Sequence, residues 1–134
     1  MAATASEREQ QVLEGVEKRL FIGGTWRDAG GGGTLGVEDP ATGETIAEVA
    51  DAQVEDAQAA LGAAHEAFPT WRSVPPRERG DVLRRAFDLI TERADDLALL
   101  MTLEMGKPLA ESKAEIAYAA NFFRWYSEEA VRIH

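Results

Sequence analysis

Cysteine is absent from all 134 residues, and histidine occurs only at positions 65 and 134. The first absence removes disulfides, thiolate metal sites and a cysteine nucleophile from the chemistry that these residues can perform. With its two imidazoles far apart in sequence, the chain is not expected to hold zinc. Positive charge is scarce too: 14 Lys and Arg face 24 Asp and Glu, a net charge of -10. Phosphate backbones need a basic surface, so no nucleic-acid partner is expected, and the same charge disfavours an anionic membrane. No apolar run approaches the roughly 18 residues of a membrane span, and the start lacks a basic-then-apolar signal pattern. A cytoplasmic location is the default expectation.

What is present suits a packed chain. The hydrophobic fraction of 45% is ordinary for a globular protein. Residues 1–17 are polar and charged, with Val12, Leu13 and Val16 as a faint helical stripe, and read as a mobile arm or a short marginal helix. The texture then changes. "RLFIGGTWRD" (Arg19 to Asp28) is two short apolar runs split by Gly23-Gly24, the signature of a tight hairpin, with Leu20, Ile22 and Trp26 as candidates for its buried face. Asp39-Pro40 and Thr42-Gly43 mark a second turn between short strands. Residues 18–50 therefore read as a small β element of about four strands. Between the turns runs "AGGGG" (Ala29 to Gly33). A phosphate cradle needs a buried strand before such a run and a helix after it; strand and turn residues follow here, so it reads as a loop.

From position 51 the period changes to that of helices. Ala57, Leu61, Ala64 and Phe68 fall on one face, with Asp51 as a candidate cap, Glu55 and Asp56 at the positive helix end, and Pro69 as the expected stop. His65 lies beside that stripe and reads as a solvated rim residue. Val82, Leu83, Ala86, Leu89 and Ile90 make a second helix, started at Pro75 or Pro76 and interrupted by Asp95 and Asp96. Leu97, Leu100 and Met101 continue a third. The fourth, residues 108–134, places Leu109, Ile116, Ala120, Phe123 and Ala130 near one face. Tyr118, Phe122, Trp125 and Tyr126 widen its apolar arc beyond a simple amphipathic stripe, so it needs cover on more than one side.

"LEMGKPLAES" (Leu103 to Ser112) raises the question of a phosphate-binding loop at Gly106-Lys107. Such a loop needs an earlier glycine where Met101 stands, a Ser or Thr where Pro108 stands, and a strand where a helix is expected. The alternative is a helix-to-helix corner, with Gly106 left-handed at one helix end, Pro108 opening the next, and Lys107 near the negative end of the first.

Taken in order, "LFIGGTWRDA", "EDPATGETIAEVADA" and "ERGDVLRRAFDLITERADDLALLMTLEMGKPLAESKAEI" resemble the start of the NAD(P)-dependent aldehyde dehydrogenase family. The closing "EIAYAANFFRWYSEEAVRI" is similar to its succinate-semialdehyde branch. The resemblance implies an α/β parent fold. Of that fold, these residues would supply an N-terminal part: a small β-hairpin element followed by about four α-helices, without the nucleotide-binding parallel sheet. It further implies a parent that oxidises an aldehyde, succinate semialdehyde on this match, to the acid with NAD or NADP, and that assembles as a homo-oligomer, a dimer or tetramer. The family's cysteine nucleophile, its glutamate base, its Pro-Trp-Asn segment and its glycine-rich cofactor turn have no counterpart in these residues. By the resemblance, no catalytic residue and no cofactor site are expected in this segment alone. The final helix would border the substrate tunnel, with Tyr118 and Phe122 as candidate wall residues or as core packed against strands outside these residues. Arg124 reads either as a carboxylate partner or as a solvated cation. A second reading of the whole is a stand-alone helical module that binds a partner through the aromatic face of its last helix.

Overall fold

The structure, a computed structural model, describes residues 5–132. Chain contacts divide it into two compact units, Met1–Ser73 and Val74–His134.

In the first unit, α1 (Ala5–Glu14) takes up part of the stretch read as an arm or short helix, the first four residues of that arm lying outside the described ones. Val12 is buried, and the Lys18 ammonium donates to the Leu13 and Val16 carbonyls at 2.6 and 2.9 Å, supplying donors that a helix end lacks. Strands β1 (Leu20–Ile22) and β2 (Thr25–Arg27) form the antiparallel hairpin that Gly23-Gly24 predicts. Both turn glycines have positive φ, 61° and 83°, the conformation whose twist suits a two-residue hairpin. Trp26 corrects one expectation. It lies opposite Phe21, with ring centroids 4.8 Å apart, so the two aromatics share an exposed face while Leu20 and Ile22 turn to the half-buried one. The register decides this: Trp26 pairs with the odd-numbered residue, and alternate residues point to opposite faces.

Strands β3 (Thr34–Glu38) and β4 (Thr45–Ala50) make the second antiparallel pair. Their turn is tied by Asp39, whose carboxylate accepts from the Ala41 amide at 2.8 Å and the Thr42 hydroxyl at 3.1 Å. This is how a short acidic side chain stabilises a turn.

Helix α2 (Val54–Ser73) begins later than Asp51 and does not stop at Pro69, which lies inside it. A proline removes one ladder donor without forbidding the next turn, and the Ser73 hydroxyl donates back to the Pro69 carbonyl at 3.0 Å. The stripe of Ala57, Leu61, Ala64 and Phe68 is exposed. The inward side instead carries Asp56, Ala60 and Ala63, and a β-carbon on Gly23 would lie 3.9 Å from that of Ala63.

The second unit is α3 (Pro76–Glu92), α4 (Ala94–Met105) and α5 (Leu109–Glu129). The helix expected to reach position 134 ends at Glu129, and residues 133–134, His134 among them, lie outside the described ones. Helix α5 packs on both α3 and α4. Its buried residues, Ser112, Ile116 and Ala120, recur at the spacing of one helical face, and Gly80 of α3 is buried beside Ser127. Four strands and, after them, four helices match the architecture read from the sequence.

Candidate functional site

The Gly106-Lys107 corner is built as a cap. Gly106 takes φ 72° and ψ 10°, the left-handed region that glycine enters without a β-carbon penalty, and its amide donates to the Thr102 carbonyl at 2.9 Å. Pro108 then leads into α5. The Lys107 ammonium is bound to the Glu115 carboxylate in the second turn of α5, so its charge is committed to the corner rather than offered to a phosphate. Beneath the corner, the hydroxyls of Thr102 and Ser112 meet at 3.0 Å, and Ser112 is 0% exposed. One hydroxyl satisfies the other, so two polar groups are carried into the α4–α5 interface without an orphan.

The glycine run is spoken for in the same way. Gly30 donates its amide to Asp56 at 2.9 Å, and Asp56, 4% exposed, also accepts from the Gln53 amide at 3.0 Å and from Arg27 at 3.0 Å. The Gln53 and Gly30 amides, followed by the Arg27 cation, hold the Asp56 carboxyl below its usual range. The first amide of the glycine run is thus taken by a carboxylate. Sequence reasoning gave Asp56 only a helix-dipole role. The signal it missed is position: Asp56 is the third residue of α2, where an acidic side chain reaches back to the amide that precedes the helix. The glycine loop thus carries an acid on its Gly30 amide, and the Gly-Lys corner carries an ion pair.

The remaining candidate is the outer arc of α5. With Ser112, Ile116 and Ala120 turned inward, Tyr118, Asn121, Phe122, Trp125 and Tyr126 line a shallow groove of about 330 Å³. Tyr118 and Phe122 meet edge to face, ring centroids 4.9 Å apart and planes at 89°, the arrangement that aromatic quadrupoles favour. Tyr118 is 67% exposed and Trp125 62%. Phe122 and Tyr126 also border a second apolar hollow with Leu83 and Phe123. The structure brings the two sequence-predicted residues together and adds Asn121, which sequence reasoning did not single out. No carboxylate, imidazole or cationic group lines the groove. Such a surface can hold an apolar chain or pack on one.

Arg124 is not part of the groove; its guanidinium lies 3.5 Å from Glu128 on the same helix. His65 is exposed on α2. Among the described residues, no group of three or more His, Cys, Asp or Glu side chains could hold a metal ion. No helix of the described residues is long and apolar enough to cross a membrane.

Comparison with known proteins agrees with this arrangement of strands, helices and corner. The family description "Aldehyde dehydrogenase family" matches residues 26–134. The chain belongs to that family. It is 50% identical over 117 residues to glutarate-semialdehyde dehydrogenase of Pseudomonas aeruginosa, a match covering 87% of this chain and 24% of that protein. It is 45% identical over 117 residues to the NADP(+) succinate-semialdehyde dehydrogenase of Escherichia coli, again covering 87% of this chain and 24% of the relative. Among solved structures, betaine aldehyde dehydrogenase of Staphylococcus aureus in complex with NAD+ superposes with a TM-score of 0.91 at 31% identity, covering 93% of this chain and 25% of that one. The chain spans about a quarter of the length of the curated relatives it matches.

Proposed function

We propose that this chain is the structural and substrate-tunnel portion of an NAD(P)-dependent dehydrogenase that oxidises a semialdehyde bearing a terminal carboxylate, succinate or glutarate semialdehyde, to the dicarboxylic acid. The observation that supports this reading most directly is the agreement of relatives named for those two substrates, at 45% and 50% identity across most of the chain. In this reading the nucleophile and the dinucleotide site are supplied by residues other than these 134, which contain no cysteine and close both of their glycine loops. The chain's own contribution is the outer arc of α5. Tyr118 and Phe122, fixed edge to face, form part of the wall that admits the methylene chain of the substrate and excludes water beside it. Arg124, already facing Glu128, does not receive the carboxylate.

The test is the native protein that carries this chain, recovered with an antibody raised against it and assayed for NADH and NADPH formation. Succinate and glutarate semialdehyde are expected to be oxidised with higher kcat/KM than betaine aldehyde or an unsubstituted aldehyde of equal length. A preference for the uncharged aldehyde overturns the substrate assignment, and no reduction of either nucleotide overturns the dehydrogenase reading. The wall assignment has its own readout. Tyr118→Ala and Phe122→Ala are expected to raise KM for the semialdehyde roughly tenfold or more, the scale of a lost apolar contact. Unchanged KM with a lowered unfolding midpoint would instead make both residues packing groups.

A further inference from the structure

We draw no further inference here: the strongest candidate, the exposed apolar stripe of Val54, Leu61, Phe68 and Trp71 along α2, carries nothing because nothing in the structure shows what covers it.

Discussion

Asp56 shows how much one side chain can organise. Two backbone amides and a guanidinium converge on its carboxylate, joining the β2 strand end, the glycine loop and the start of α2. Its folded pKa is lowered, so its contribution is present above the unfolded value of about 3.9 and is lost as pH falls through the lower folded value. Unfolding midpoints of the wild-type chain are therefore expected to fall below pH 4, and Asp56→Asn is expected to be weaker at pH 7 yet to show a flatter acid slope. Equal slopes in denaturant titrations across that range would remove Asp56 from the acid transition. Glycine supplies a second contrast. An added β-carbon at Gly80 meets the Ser127 carbonyl oxygen at 2.8 Å, whereas at Gly62 it meets nothing within 4 Å. Both lie within helices, where alanine is preferred by up to about 1 kcal/mol. Gly62→Ala is expected to stabilise by about 0.5–1 kcal/mol, and Gly80→Ala to destabilise by about 1–3 kcal/mol as α3 and α5 are forced apart. Composition sees the two glycines alike. Only the helix-to-helix contact separates them, and the sequence carries no local sign of it.

At the scale of elements, turns and corners were legible because their chemistry is local. Gly23-Gly24, Asp39 to Gly43 and Gly106-Lys107-Pro108 each do what their residue types dictate within a few positions. Faces were less legible. The period of α2 was read correctly as helical, yet its apolar stripe faces outward in the first unit, since burial depends on which neighbour the chain brings and not on periodicity alone. On α5 the two faces were separated in part: Ile116 and Ala120 are buried and the aromatic arc is open, but Leu109 and Phe123 of the expected inward stripe are exposed. Truncating Ile116 tests that division. Ile116→Ala is expected to cost about 2–5 kcal/mol in urea unfolding, the range of buried aliphatic truncations, and Ile116→Val only about 0.5–1.5 kcal/mol. Similar small losses from both would place Ile116 in a site that collapses around the deletion.

At the scale of the molecule, the amount of uncovered apolar surface is the dominant fact. Leu61 is 73% exposed, and Phe68, Trp71, Tyr118, Trp125 and Tyr126 all stand open to solvent. Large exposed patches of this kind mark surfaces that bind something. The 134 residues alone are accordingly expected to bind a hydrophobic dye such as ANS and to self-associate as concentration rises, measured by light scattering on a sizing column. A monomer that stays dark with the dye and unfolds in one sharp step would favour the self-sufficient helical module. The sequence showed that α5 needs cover on more than one side, from its aromatic content. It did not show that α2 shares the need, because an alanine-rich stripe looks modest until its large residues are seen to stand clear.

Pro69 brings time into this picture. Having no amide hydrogen, it deprives the His65 carbonyl of the donor that a continuous ladder would provide. The start of α2 is moored by Asp56, whereas its last turn hangs on the far side of that gap, helped by the Ser73 hydroxyl. Placed in heavy water, the amides between Pro69 and Ser73 should take up deuterium well before those around Ala60, so α2 comes undone from one end like a rope with a single knot.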